Sequence, residues 1–188
     1  YFVDYQKLVL YEHDAMNIPQ TNPKMRMSVR QANVDDMEKL VDMRTRVQRD
    51  REHRVNRSKY LVRVLERLRS GHLCFVAERA DDILGYVWVA LRELYISEIE
   101  MKMSFKENEA MFYDVHTSFP YRGKGIASKI YREAINHLRN HNYKKLYVAI
   151  LQHNKPSIRV AEKLNFKPVK TITFLKIFGI KKTRTCSF

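Results

Sequence analysis

Apolar residues recur along the chain in two rhythms. In Met25-Arg26-Met27-Ser28-Val29-Arg30 they alternate with polar ones, the period of a half-buried strand. Asn33 then offers an N-cap to a helix on which Met37, Leu40 and Val41 share a face. A second helix is predicted from Ser58 to Ser70, because Leu61, Val64, Leu65 and Leu68 line one side, Arg63, Arg67 and Arg69 lie elsewhere, and Gly71 can end it. Leu73 to Arg79 and Ile83 to Arg92, rich in Val, Tyr, Trp and Phe, flank Ala80-Asp81-Asp82 and make a hairpin of central strands. Glu109 to His116 is a further strand. After a loop comes a long helix from about Gly125 to His141, striped by Ala127, Ile130, Ala134 and Leu138. Leu146 to Leu151, Lys155 to Leu164 and Phe166 to Leu175 follow as strand, helix and a last long strand. At the start, the apolar-rich stretch from Phe2 and the Pro-flanked linker from Ile18 to Pro23 make residues 1–24 an expected N-terminal extension, an extra strand and linker before a domain of 25–188. That strand is expected to pair with a sheet edge of its own chain or of a partner, so a dimer is one open state. No repeat recurs at periods of 20 to 50 residues.

At 188 residues, 45% hydrophobic and 30% charged, the chain has the composition of one domain with a real core. The apolar stretch from Ile83 to Leu91, interrupted by Gly85 and Tyr86, is too short to span a bilayer, so no membrane span is expected. The opening Tyr1-Phe2-Val3-Asp4-Tyr5 has neither an initiator Met nor the layout of a secretory signal, which points to trimming rather than export. Cys74 and Cys186 form neither a disulfide framework nor a CxxC pair, and a reducing cytoplasm is the expected setting. The formal charge of +14 is uneven: ten basic residues between Arg44 and Arg69 stand against Asp50, Glu52 and Glu66, and the tail adds Lys170, Lys176, Lys181, Lys182 and Arg184. Two readings of the 44–69 segment stay open, a solvated helical face and a patch for an anionic partner.

The chemistry concentrates in Phe119-Pro120-Tyr121-Arg122-Gly123-Lys124-Gly125-Ile126-Ala127, between a strand and a long helix. Two glycines let backbone amides converge, the helix adds unpaired N–H groups, and Arg122 and Lys124 add full charges, which together make a cradle for a pyrophosphate. Neither GxGxxG nor GxxxxGK[ST] is present. Arg122, Gly125 and Ala127 do fill the pattern [RQ]xxGx[GA], and Asn154-Lys155-Pro156-Ser157-Ile158 followed by Glu162-Lys163-Leu164-Asn165-Phe166 follows N-x-x-[AS]-I and E-K-L-G-F. On these two motifs the chain, from about Met25 to Leu175, resembles the GNAT superfamily of acetyl-CoA-dependent acyltransferases. It departs at Asn165, where the pattern has a glycine and where Asn tolerates the left-handed conformation after a helix. It departs also at Ala161, where many members carry a tyrosine that protonates the departing thiolate; solvent, Ser157 or another tyrosine would then supply that proton.

The resemblance implies a mixed α/β (α+β) fold with a mostly antiparallel central sheet flanked by helices and splayed at its central strands. It implies acetyl-CoA as cosubstrate, no metal, and direct attack by a primary amine in a ternary complex. The acceptor it allows is a protein N-terminus or an amino sugar, acidic or phosphorylated given the basic 44–69 segment. Backbone amides near Val115 and Thr117, the loop residues Arg122, Gly123, Lys124, Gly125, Ile126 and Ala127, and Asn154 and Ser157 are the expected cofactor contacts. Strand alternation sets Met111, Tyr113 and Val115 on one face with Glu109 a step further, and Asp114 and His116 on the other. Glu109 and Tyr113 are the catalytic candidates, with Glu98, Glu100 and His153 behind them. His137 and His141 have metal-ligand spacing without an HExxH pattern or a third ligand. Two other classes remain: a catalytically silent CoA-binding regulatory module, and a basic nucleic-acid-associated domain.

Overall fold

The computed structural model describes residues 3–17, 26–48 and 56–188; the linker expected from Ile18 to Pro23 lies outside them, as does the middle of the basic segment. The strands are β1 (Val3–Asp14), β2 (Ser28–Gln31), β3 (Leu73–Arg79), β4 (Asp82–Ala90), β5 (Glu93–Ile96), β6 (Met101–Ser104), β7 (Glu109–Thr117), β8 (Lys145–Leu151), β9 (Lys167–Ile177) and β10 (Ile180–Ser187). The helices are α1 (Met37–Gln48), α2 (Arg57–Arg69), α3 (Ile126–Asn140) and α4 (Lys155–Lys163). Eight strands form one sheet in the order β10-β9-β1-β8-β7-β4-β3-β2, and β5 with β6 forms a separate hairpin. Every neighbouring pair in the large sheet is antiparallel except β7 with β8.

Alternation along the strands sorts side chains into layers. Phe75, Ala77, Ala110 and Phe112 meet Ile126, Ile130 and Ala134 of α3 on one face. Cys74, Val76 and Trp88 meet Leu40, Val41 and Val64 of α1 and α2 on the other. Further along that second face, Leu8, Leu10, Met111, Ile172 and Phe174 are covered by Ile96 and Ile99 of the β5–β6 hairpin. The strands predicted at 73–79 and 83–92 are internal, as their apolar runs require.

The N-terminal strand does not sit at an edge. It lies between β8 and β9, antiparallel to both, and Leu8, Val9, Leu10 and Tyr11 are buried on its two faces. A strand buried on both sides needs two neighbours and two covering layers, which explains why this stretch is continuously apolar. Three of the strands escaped the sequence reading: β5, β6 and the fully exposed edge strand β10, whose Lys, Thr and Arg carry no apolar alternation. Asn33 and Asp36 form a reciprocal capping box ahead of α1, and Asn56 caps α2 by accepting from Lys59 N at 3.1 Å. Arg57 spans the two helices, donating to Asp42 at 3.0 Å and to Glu38.

Two buried positions bear directly on stability. A Cβ on Gly85 would stand 2.8 Å from the His116 carbonyl oxygen and 3.2 Å from Ile126, so Gly85→Ala is expected to cost about 1–3 kcal/mol, read as a lower urea midpoint at unchanged slope. His13 is 2% exposed beside the Phe166 ring, and neither of its ring nitrogens has a hydrogen-bond partner among the described residues. Burial lowers its pKa from 6.5, so the unfolded chain binds a proton there before the folded one does. Stability is therefore complete above the ordinary histidine value and declines as pH falls through it. Unfolding midpoints taken from about pH 8 down to about pH 5 should fall, and His13→Phe should flatten part of that slope; an unchanged slope would clear His13 of responsibility.

Candidate active site

The ladder between β7 and β8 has four rungs, Glu109 with Lys145 through Phe112 with Val148, and then stops. Beyond it β7 stays paired with β4 as far as Thr117, and β8 stays paired with β1 as far as Leu151. The two central strands thus part, leaving the facing backbone of residues 113–117 and 149–151 out of each other's ladder. Because the pair is parallel, both C-terminal ends open at the same mouth, and α3 and α4 start there.

The two helix starts differ. Asn154 caps α4 by accepting from Ser157 N at 3.3 Å, whereas at the N-terminus of α3 Gly125 stands in the left-handed region (φ 81°) and no side chain caps the helix. Its first amides, from Ile126 onward, are left to an anion at the positive end of the helix. Gly123 is also left-handed (φ 73°), and a Cβ there would meet nothing within 4 Å, so the approach is open. Arg122 lies over Phe119 at 5.4 Å and Lys124 over Tyr121 at 5.3 Å, and both cations are exposed. Arg122 Nε also donates to the Thr117 carbonyl at 3.3 Å. This set suits a polyanion such as a pyrophosphate: uncapped amides, room for backbone approach, and two cations with no carboxylate partner among the described residues.

The wall of the cleft carries a feature that strict alternation hides. The β4–β7 register shifts between Tyr86 and Trp88, and Asp114 adopts φ 46°, so β7 bulges at that residue. The extra residue resets the alternation. Asp114 and His116 therefore join Tyr113 on the α1–α2 side, contrary to the alternation expected for them, while Val115 packs toward α3. Arg67 Nη1 donates to Asp114 Oδ2 at 2.5 Å, His116 Nε2 lies 3.0 Å from Asp114 Oδ1, and Arg44 lies against the His116 ring. Burial pushes the Asp114 carboxyl upward, but the His116 hydrogen bond with Arg67 and Arg44 overrides this and holds it below the usual range. Burial lowers the His116 pKa although Asp114 opposes the shift. Tyr60, buried and hydrogen-bonded to Tyr86 at 2.9 Å, is pushed up to about 12. Two arginines of the basic segment thus serve the interior, and Arg57 ties α2 to α1.

Tyr113 is the first residue past the last β7–β8 rung, at the apex of the cleft, half-buried, with its hydroxyl 2.6 Å from His72 Nδ1. Glu109 is at the closed end, about 20 Å along the strand from Val115 at ~3.3 Å per residue; it accepts from Lys106 N at 3.1 Å and from Tyr147 Oη at 3.4 Å. Val115 and Thr117 end β7 ahead of the 122–127 loop, with the Thr117 carbonyl accepting from Arg122, and Asn154 and Ser157 lie at the start of α4. Glu98 is exposed beside Ser97, and Glu100 is bound by Lys176 at 2.7 Å and by Lys181, so its carboxylate is held by two lysines. His153 is exposed after β8. Ala161 is buried in the α3-side core. Asn165 has φ 63°, the left-handed conformation expected of it. His137 and His141 stack at 4.2 Å, and among the described residues no three His, Cys, Asp or Glu side chains converge as metal ligands. No helix among the described residues is long and apolar enough to cross a membrane. Sequence reasoning missed His72 and Arg67; an Asp within an otherwise apolar strand was the available sign of the bulge.

A sequence profile described as the acetyltransferase (GNAT) family matches residues 37–166. The chain is 28% identical over 86 residues to a mycothiol acetyltransferase of Corynebacterium glutamicum, covering 46% of this chain and 25% of that protein. It is 29% identical over 103 residues to an N-alpha-acetyltransferase of Saccharolobus solfataricus, covering 54% and 60%. It thus spans a quarter of the first relative's length and three fifths of the second's. Among solved structures, an N-acetyltransferase from Staphylococcus aureus Mu50 superimposes with a TM-score of 0.58 at 18% identity, over 76% of this chain and 84% of that one.

The ion pair at the bulge is open to direct test. Arg67 and Asp114 side chains are 20% and 15% exposed, so Arg67→Met, which leaves a largely buried carboxylate with His116 as its remaining close partner, is expected to cost about 3 kcal/mol. The double variant with Asp114→Asn should recover part of that loss in a thermal or urea midpoint. Equal stability of Arg67→Met and the parent would show that the pair does not hold the bulge.

Proposed function

The chain belongs to the acetyltransferase (GNAT) family, and on that premise we propose that it moves an acetyl group from acetyl-CoA to a primary amine by direct attack within a ternary complex. The observation that carries the reading is the uncapped, glycine-led start of α3 at the mouth of a half-paired parallel strand pair. Acetyl-CoA supplies the activated acyl group as a thioester. The amides from Ile126 onward and the charges of Arg122 and Lys124 hold the pyrophosphate, while Gly123 and Gly125 shape the turn that lets it approach. The unpaired stretch of β7 near Val115 and Thr117 gives backbone donors for the pantetheine arm and for the carbonyl oxygen as it gains charge. Asn154 and Ser157 line the opposite side of the mouth. Of the two catalytic candidates, Tyr113 stands at the apex and reaches the amine; Glu109, at the closed end, acts only through the β7–β8 rungs and Tyr147.

The acceptor is an amine in an anionic setting, a protein N-terminus or an amino sugar. Lys59, Arg63 and Arg69 support this, since they remain exposed on α2 while Arg57 and Arg67 are engaged by carboxylates. A second reading, CoA binding without transfer, is favoured only by Ala161, where no side-chain acid stands.

Thermal unfolding with acetyl-CoA tests the first step. At about 100 times Kd a ligand of the folded state adds about 2.7 kcal/mol, or a midpoint shift of about 5–10 °C for a domain of this size. The shift should be lost in Arg122→Ala with Gly125→Asp. No shift with acetyl-CoA or CoA in the parent chain would overturn the reading. A shift followed by CoA release with peptide α-amines or amino sugars separates transfer from mere binding.

A further inference from the structure

Tyr113 has a proton partner already in place. Its hydroxyl lies 2.6 Å from Nδ1 of His72, at the joint where α2 turns through Gly71 into β3, and the two rings meet edge to face at 5.6 Å. The Arg67 guanidinium lies over the tyrosine ring 4.9 Å from its centroid and over Trp88 at 5.1 Å. On these contacts we propose that Tyr113 and His72 form a proton relay for acetyl transfer, Tyr113 touching the reactants and His72 acting behind it as the positioning residue that stores the proton. The inference rests on the acetyltransferase reading above.

The groups facing the His72 ring are Arg67 from α2, Glu93 from β5 and Tyr113 from β7. Burial and the Arg67 charge lower the pKa of His72, while the Glu93 backbone hydrogen bond and carboxylate oppose them only in part. The imidazole is accordingly neutral at neutral pH. A neutral imidazole keeps one ring nitrogen free to accept, and the 2.6 Å contact puts Nδ1 in that role toward the Tyr113 hydroxyl. Burial raises the Tyr113 pKa, so the hydroxyl keeps its proton at rest, and the Arg67 charge, which lowers it, steadies negative charge as the proton moves. The other titratable pair on this wall is committed elsewhere, since Asp114 and His116 are held by Arg67 and Arg44.

The balance closes without another reactant. As the amine nitrogen bonds to the acyl carbon, its surplus proton passes to Tyr113 Oη and the Tyr113 proton passes to His72 Nδ1. When the carbon–sulfur bond breaks and sulfur leaves with the electron pair, Tyr113 Oη gives a proton to sulfur and is refilled from His72. The proton lost by the amine ends on the thiol, and both side chains return to their starting state.

The test uses His72→Gln, Tyr113→Phe and the double variant, with the panel of peptide α-amines and amino sugars as acceptors, CoA thiol release as one readout and 15N NMR of the His72 ring as another. Each single variant is expected to lose about 100-fold or more in kcat, with KM for acetyl-CoA within about twofold. The acetyl-CoA midpoint shift should survive in both, which excludes unfolding as the cause. The double variant should be no slower than the slower single one, because one relay is broken once. The acid limb of the kcat/KM profile, set by protonation of His72 below about 6.5, should vanish in His72→Gln. In the ring spectrum, Nδ1 should be the unprotonated nitrogen at neutral pH and should respond to Tyr113→Phe. An acid limb retained in His72→Gln, losses that multiply in the double variant, or a protonated Nδ1 would each overturn the relay. A midpoint shift without CoA release from the parent across the panel would overturn the relay and transfer together while leaving acetyl-CoA binding intact; no shift would remove the reading on which both rest.

Discussion

The parallel pair at the centre of the sheet is hydrogen-bonded over four rungs and no further, and the site follows from that one interruption. A backbone group left without a ladder partner inside a sheet costs free energy unless water or a ligand meets it. Here the cost falls on β7 from residue 113 and on β8 from residue 149, the stretches that the proposed reading gives to the extended arm of the acyl donor. The strands part because each is held by its outer neighbour, β7 by β4 and β8 by β1. Gly85 lets β4 and β7 approach beneath α3, and the Asp114 bulge increases the local twist of β7. The far wall of the cleft therefore depends on the chain's first strand, which is why β1 is built of residues buried on both faces.

Charge is apportioned between the interior and the mouth by the kind of partner each cation has. Arg67 sits against a carboxylate, Asp114, and its charge is used in fastening α2 to the bulge. Arg57 is used in the same way between α1 and α2. Arg122 and Lys124 rest on the aromatic faces of Phe119 and Tyr121. A ring face orients a cation without neutralising it, so these two keep a full charge beside the uncapped start of α3. A basic protein of +14 thus has parts of its basic run that are structural and a separate, smaller pair available to an anion.

Much of this was legible in the sequence, and the remainder was hidden for physical reasons. The four helices and the strands at 109–117 and 145–151 declare themselves through buried positions that recur with a helix or strand period, and those at 73–79 and 82–90 through unbroken apolar runs buried on both faces. The 122–127 loop declares itself because glycines at left-handed positions cannot be exchanged freely. Strand β10 has no buried face to record and exists only by pairing with β9. The central place of β1 is a fact of topology that local pattern does not encode. The bulge at Asp114 defeated the alternation rule because one inserted residue inverts every side chain beyond it, sending Asp114 and His116 to the face of Tyr113. His72 and Tyr113 are 41 residues apart, and no spacing in the sequence announces a contact of that range.

The position of Ala161 bears on how the reaction ends. On α4, facing the α3-side core, it has no hydroxyl to give, and Tyr113 approaches the cleft from the opposite face, by way of α2 and β3. A departing thiolate, with an ordinary thiol pKa of about 8.5, is at least as basic as a protein α-amine at about 7.7–8.0, so it can take up the proton the amine sheds without a strong acid beside it. The proton that the attacking amine must lose is already close by, and a hydroxyl backed by a neutral imidazole can hold it for the interval between bond making and bond breaking. On the proposed relay, one proton path on the Tyr113 side would serve both halves of the transfer, and a second acid on α4 would be dispensable. On that reading Ala161 is free to serve as a core residue, packed with Leu164 and Phe166, because the proposed chemistry asks nothing of its side chain.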